Sequence, residues 1–203
     1  MKINKKLFFS LSLIASLFIT GCDDINKTST VDTNFTQQNQ KDSQINEFKQ
    51  LISSTYNFST GKISDDISKN IYVFFDPQCP HCNNLWFNAQ NEVIKDLPIV
   101  WIPVAFLNNY SEPQAAIILG SENSVDTMNQ NETLIKNGGT GLSQKIINPK
   151  FLEQVKQNNI AFDKTGAKGV PLLLKIDANN KINGASGELF PQLLKDFYEH
   201  KIK

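Results

Sequence analysis

Arginine is absent from this chain: all 20 basic residues are Lys, and 20 Asp+Glu balance them to a formal net charge of +0. Nucleic-acid and phosphate binders usually present a basic patch rich in guanidinium groups, which grip phosphate bidentately, so this composition argues against that class. Cysteine is scarce as well. Cys22, Cys79 and Cys82 are the only three, too few for a disulfide scaffold or a four-thiolate zinc site. His81 and His200 are the only histidines, so a mixed structural zinc site is also short of ligands. No internal repeat is visible. With 203 residues and 40% hydrophobic content, one compact domain around one core is expected.

Long apolar runs are lacking too. Residues 7–19 are broken only by Ser10, Ser12 and Ser16 and follow Lys2, Lys5 and Lys6; the run is too short for a comfortable membrane span, so residues 1–21 read as an export signal. Its end, Ile19-Thr20-Gly21-Cys22, resembles the lipobox of bacterial lipoproteins, which implies a lipid on Cys22 as the mature N-terminus. An ordinary cleaved signal followed by a chance cysteine is the alternative. Asp23 resembles the retention signal that keeps enterobacterial lipoproteins on the periplasmic face of the inner membrane. Residues 22–44 are almost wholly polar and aperiodic, which predicts a flexible tether with a reach on the order of 25 Å, and a folded domain over residues 45–203.

Within that domain, Ile45, Phe48, Leu51, Ile52 and Thr55 fall at helical spacing, predicting a helix that ends near Asn57. Gly61 and Ser64-Asp65-Asp66 read as turns. Ile71-Tyr72-Val73-Phe74-Phe75 is β-branched and aromatic, a strand buried on both faces and stopped by Asp76-Pro77-Gln78. A long helix is expected from Pro80 through Leu85, Phe87, Val93, Ile94 and Leu97. Residues 99–106 read as a second strand with Pro103 at a bulge or an edge. A helical block follows: residues 113–119 capped by Ser111, residues 125–136 closed by Gly138-Gly139, and residues 149–157. Residues 170–176 and 181–185 pair as a hairpin, and residues 189–198 form a last amphipathic helix. The order β-α-β, helical insertion, β-β-α is a mixed α/β pattern.

Cys79-Pro80-His81-Cys82 lies at the junction of the first buried strand and its helix. Cys79 is expected at the helix N-cap, where free N–H groups and the positive end of the helix dipole stabilise a thiolate. Cys82 comes one turn later, within disulfide reach, so Cys79 reads as the exposed attacker and Cys82 as the buried resolving thiol. His81 adds positive charge beside Cys79, which favours the reduced form and hence a relatively oxidising potential. Haem attachment needs His after the second cysteine, where Asn83 stands. An inert disulfide closing a two-residue loop stabilises little. A redox dithiol is therefore expected, with no cofactor and no metal. Asp76 is either a proton acceptor for the pair or a turn residue beside Pro77. Trp86 and Phe87 are expected to pack the helix on the sheet, Trp101 to sit in the core, and His200 to be a solvent-exposed partner of the last helix's dipole.

The run from Ile71 to Cys82 resembles the active-site segment of thioredoxin-fold disulfide interchange proteins, nearest the DsbC/DsbG branch, while its Pro-His dipeptide is the one associated with DsbA. Gly169-Val170-Pro171, opening an apolar strand, resembles the family's cis-proline loop, which faces the CxxC and binds the backbone of a client. The resemblance covers about residues 45–203. It implies a thioredoxin-like fold, a central mixed sheet flanked by helices with a helical insertion, and thiol:disulfide oxidoreductase activity centred on Cys79 and Cys82. Val170 and Pro171 would form the client-binding loop, with the Val170 N–H and C=O unpaired and ready to take an extended client segment.

Two features depart from the DsbC/DsbG pattern. Nothing folded fits between Cys22 and Ile45 to match their dimerisation domain, so a tethered monomer is expected, and Val170 replaces their Thr before the proline. The implied partners are cysteine-containing exported proteins and a membrane redox protein, of DsbD type if the protein reduces and DsbB type if it oxidises. Two other classes fit the same motif: a metallochaperone holding Cu(I) between the two thiolates, and a peptide-binding lipoprotein using the Pro171 groove.

Overall fold

The computed structural model describes residues 32–144 and 146–201; the export signal, Cys22 and Asp23 lie outside them. Helix α1 (Asp32–Ser53) leads into a short strand β1 (Phe58–Thr60) and a 3-10 turn at Ile67–Lys69. Strand β2 (Ile71–Phe75), helix α2 (Pro80–Ala89) and strand β3 (Ile99–Pro103) form a parallel crossover unit. Helices α3 (Ser111–Gly120), α4 (Ser124–Lys136) and α5 (Pro149–Lys164) are the insertion, and β4 (Leu172–Ile176), β5 (Ile182–Ser186) and α6 (Pro191–Tyr198) end the chain. The five strands lie in the order β1-β3-β2-β4-β5, mixed in direction because β1, β4 and β5 run antiparallel to their neighbours.

Strand alternation sorts the core into two layers. Ile71, Val73 and Phe75 of β2 face Leu85 and Trp86 of α2, Met128 of α4 and Leu194 and Phe197 of α6. Tyr72 and Phe74 face the other way, onto Ile45, Phe48 and Ile52 of α1 and Phe162 of α5. Both layers are closed by aromatic edges: Trp86 meets Trp101 with ring centroids 5.0 Å apart, and Phe48 meets Tyr72 at 5.5 Å. Every residue of β2, β3 and β4 is buried, Lys175 of β4 included, as the nearly unbroken apolar runs required.

The structure differs from the sequence expectations at five places. Helix α1 starts at Asp32, so residues 32–44 of the expected flexible tether are helical backbone; once Ile45, Phe48 and Ile52 fix one turn against the sheet, each further turn adds only the small free energy of propagation. Strand β1 stands where the sequence suggests only turn, and its three residues owe their conformation to pairing with Ile99–Trp101 of β3. Helix α2 stops at Ala89 instead of continuing to Leu97: the Asn91 side chain accepts from the Val93 N–H and its carbonyl accepts from Ile94 and Lys95, a local turn that replaces the helical ladder and leaves Val93 exposed. Pro103 ends β3 without a bulge. Val104 N–H bonds back to the Phe75 carbonyl, so Pro103 directs its missing donor to the opposite side, past the end of β1.

The fifth is α5, which runs on to Lys164 through Asn158 and Asn159. These two asparagines look like breakers but work as clamps. Buried Asn158 accepts from Tyr56 N–H and donates to the Tyr56 and Pro103 carbonyls, and Asn159 does the same to the N–H and C=O of Ala105.

Candidate functional site

Strand β2 ends at the C-terminal edge of the sheet and the chain turns through Asp76-Pro77-Gln78 into α2. Asp76 makes that turn. Its buried carboxylate accepts from Gln78 N–H at 2.9 Å on one oxygen and from Phe106 and Leu107 N–H at 2.9 and 3.1 Å on the other, while its carbonyl accepts from Cys79 N–H. These bonds pin the segment after β3 to the CxxC turn and give Asp76 the turn role, beside Cys82, whose acidity it influences.

Cys79 is the N-cap of α2 with Pro80 in the first turn, as expected. Cys79 is not exposed: 5% of its surface reaches solvent against 1% for Cys82. The reason is the loop at Val170-Pro171, whose peptide bond is cis and whose Val170 carbonyl accepts from the Cys79 thiol at 3.4 Å. One of the two Val170 backbone groups expected to be unpaired is therefore occupied by the thiol itself.

The two thiols are driven apart in acidity. The Cys79 thiol is lowered to about 6, first by the Cys82 thiol donating to it, then by the backbone N–H groups of Cys82 and His81 and by the His81 charge, all against an opposing burial effect. The helix N-terminus and His81 thus contribute in the sense anticipated, with Cys82 itself the largest influence. Burial pushes the Cys82 thiol well above its ordinary value, and its bond to Cys79 adds to the shift. One thiol is thus acidified to below neutral pH, and the other is held well above it.

A second buried acid, which sequence reasoning missed, lies on α4. Glu132 is wholly buried; its carboxylate accepts from Asn83 Nδ2 at 2.7 Å and from Asn131 Nδ2 at 3.0 Å. Burial raises it to about 7, the two amide bonds oppose that rise, and the negative charges of Cys79 and Asp76 add to it. Asn83 follows Cys82 directly, so this carboxyl is one residue removed from the resolving thiol. Its signal in the sequence was an acidic residue set in the apolar stripe Val125, Met128, Glu132, Ile135.

The helical insertion reaches the site through amides. Gln78 donates to Gln114 and the Thr140 carbonyl and accepts from Asn108, while Asn131 accepts from Leu142 N–H. His81, largely exposed, pairs through Nδ1 with Glu188 at 3.1 Å. Trp86 and Trp101 are core, as expected, and Phe87 lies beneath the Lys136 ammonium. His200 is not a free helix-end partner: its Nε2 lies 3.3 Å from the buried Lys175 Nζ, far along β4 from the cysteines. Among the described residues no group of three or more His, Cys, Asp or Glu side chains is arranged to hold a metal ion. Cys22, the expected lipidation site, falls outside the described residues.

No protein-family model matches the chain and no curated protein sequence matches it. Solved structures do. ScsC of Proteus mirabilis in its compact conformation aligns with TM-score 0.58 at 14% identity over 84% of this chain and 88% of that one. The thiol-disulfide exchange protein alpha-DsbA2 of Wolbachia pipientis aligns with TM-score 0.56 at 15% identity, covering 82% of this chain and 98% of that one. A periplasmic thioredoxin-like protein of Salmonella enterica serovar Typhimurium aligns with TM-score 0.50 at 16% identity over 74% and 95% of the two chains. With the strand order β1-β3-β2-β4-β5 and the Cys79 junction between β2 and α2, these likenesses establish that the chain has a thioredoxin-like fold with a helical insertion.

Proposed function

We propose that the protein is a periplasmic thiol:disulfide oxidoreductase acting on the cysteines of exported proteins. The observation that carries this reading is the divided pair, a Cys79 thiol lowered to about 6 and held against the Val170 carbonyl beside a buried Cys82 thiol raised well above its ordinary value. In the reducing direction the Cys79 thiolate attacks a client disulfide, forming a Cys79–client bond as the client S–S bond breaks and its departing thiolate takes a proton. Cys82 then gives up its proton and attacks Cys79 sulfur. The Cys79–Cys82 disulfide forms, the second client thiolate leaves and is protonated, and the client has gained the two electrons the pair has lost. The same steps in reverse oxidise a client dithiol.

Ionisation of Cys79 removes the donor from the Val170 carbonyl. That carbonyl and the neighbouring Val170 N–H then pair with the backbone of an extended client, holding its disulfide over the attacking sulfur. A DsbD-type membrane partner returns electrons if the protein reduces, and a DsbB-type partner removes them if it oxidises. Purified protein should accelerate reduction of insulin by dithiothreitol, read as turbidity of the released chain, well above a Cys79→Ser control. Equal rates for the two proteins, with stoichiometric Cu(I) retained by the wild type, would replace this reading with the metallochaperone.

The same proposal includes the anchor. Cys22 carries lipid, and α1 with the residues before it holds the domain off the periplasmic face of the membrane, with Asp23 favouring the inner one. Cells fed a radioactive fatty acid should label the native protein and not Cys22→Ser, which should be released in soluble, redox-active form because no core residue among those described lies upstream of Ile45. Unlabelled native protein would reduce Cys22 to a third free thiol.

A further inference from the structure

The segment that follows β5 joins the two halves of the site. Gly187 N–H donates to the Pro171 carbonyl at 3.0 Å, tying it to the proline loop. On its other side it meets a polar stripe of α2 spaced at helical intervals. Glu188 Oε2 accepts from Asn84 Nδ2 at 2.6 Å and pairs with His81 Nδ1 at 3.1 Å, and the Leu189 carbonyl accepts from Asn88 Nδ2 at 3.2 Å. Gly187 has φ +88°, a left-handed conformation that L side chains rarely adopt, so the turn presenting Glu188 depends on this glycine.

We propose that Glu188 is a positioning residue that sets the redox poise of the Cys79–Cys82 pair by holding the His81 ring and sharing its charge. This rests on the oxidoreductase reading above and adds a residue to it. His81 is the one cation named among the influences that favour the Cys79 thiolate; the rest are hydrogen bonds. Glu188 takes that cation as its own partner. With Nδ1 engaged 3.1 Å from a carboxylate, the ring is held to the β5 side of α2, and its field at Cys79 is partly cancelled by the anion beside it. The remaining charged groups acting on the pair are Asp76 and Glu132, both buried and both acidic. The Glu188 carboxyl is itself held below its usual range by Asn84 and His81, so it is ionised throughout the range in which Cys79 titrates.

Removing the Glu188 charge takes away an anion held against α2 beside the Cys79 turn, so less negative field opposes the Cys79 thiolate. A more stable thiolate stabilises the reduced pair, and the disulfide becomes the stronger oxidant. Glu188→Gln keeps an acceptor for Asn84 and therefore separates charge from packing. Two readouts independent of any client serve: thiolate absorbance in the far ultraviolet against pH, and the equilibrium of the pair with reduced and oxidised glutathione. Glu188→Gln should move the thiolate midpoint below that of wild type and shift the glutathione equilibrium about three- to tenfold toward the reduced protein, the scale expected of one partly exposed charge.

In a His81→Ala background the same substitution should still shift both in the same sense, because the anion itself is lost. An unchanged midpoint in Glu188→Gln, or a shift of opposite sign, would each overturn the role assigned to Glu188. The proposed function fails separately, if wild-type protein titrates in this way but does not exchange disulfides with insulin.

Discussion

Cys82→Ser should accumulate covalent complexes with client proteins, whereas Cys79→Ser should form none and lose exchange activity to background. The difference follows from where the two sulfurs sit. Cys79, lowered to about 6, meets a client disulfide first, and only Cys82 is placed to release the resulting mixed disulfide. Nonreducing gels of alkylated periplasmic extracts should show high-mass bands for Cys82→Ser that collapse on reduction. The replacement matters as well as the loss. Donation from Cys82 is the largest influence holding Cys79 down, and a serine hydroxyl can still donate, so Cys82→Ser keeps an acidic attacker. Cys82→Ala removes the donor, and its Cys79 should titrate appreciably higher and trap clients more slowly at mildly acidic pH. Bands from Cys79→Ser instead of Cys82→Ser would reverse the two roles and remove the N-cap argument.

Glu132→Gln should uncouple the second half of the cycle from the first. The Cys82 proton has to leave before that sulfur attacks, and Glu132 is a buried carboxyl joined to Asn83, the residue that follows Cys82. A carboxyl raised to about 7 is matched to taking a proton near neutral pH, an arrangement worth about 10²-fold or more in comparable proton transfers. Attack on a small disulfide should not fall below its wild-type rate in Glu132→Gln, because losing a nearby negative charge favours the Cys79 thiolate. Closure of the Cys79–Cys82 disulfide should slow by about that factor and lose its rise through neutral pH, as read by stopped-flow tryptophan fluorescence. A closure rate unchanged in size and in pH profile would remove Glu132 from the mechanism.

The same residue predicts a stability effect with a definite sign. Its folded value is above the ordinary 4.5, so between pH about 4.5 and 7 the folded chain keeps a proton that the unfolded chain has lost. Stability of the wild type therefore falls as pH rises through that window, by about 3 kcal/mol at most. Glu132→Gln carries no such dependence, at the expense of a pH-independent loss where its amide N–H faces Asn83 or Asn131. Urea midpoints measured on either side of that window separate the two contributions.

The part of this molecule that could be read from its sequence is the part in which burial is continuous along the chain. Ile71–Phe75 and Leu172–Ile176 are buried at every position because both sheet faces are covered, and a short, nearly unbroken apolar run between turn residues marks that environment. The Cys79 junction and the closing hairpin were legible because each is a local pattern of residue types at fixed spacing, whereas the cis proline opposite Cys79 was implied by the family resemblance of Gly169-Val170-Pro171. What was not legible depends on partners distant in the chain. Strand β1 exists through its pairing with β3, about 40 residues on, and α2 ends early because one asparagine outcompetes the helical ladder at Asn91.

The site divides along the same line. Asp76 is ambiguous in the sequence because nothing local reveals that Phe106 and Leu107, 30 and 31 residues away, direct their N–H groups onto its carboxylate. Glu132 and Glu188 act across separations of 49 and 107 residues. Glu132 left a trace as an acid on an apolar stripe; Glu188 left none, since a glutamate after Gly187 reads as ordinary loop.

The central claim is that Cys79 attacks as a thiolate stabilised by its surroundings. Its most direct test is the rate at which reduced protein reacts with a small symmetrical disulfide across the acidic to alkaline range, with the modified residue identified by mass spectrometry. The account predicts first modification at Cys79, a rate profile with its midpoint at about pH 6, and then loss of the adduct as Cys82 closes the intramolecular disulfide. First modification at Cys82, or a midpoint near the 9 of an ordinary thiol, would contradict it.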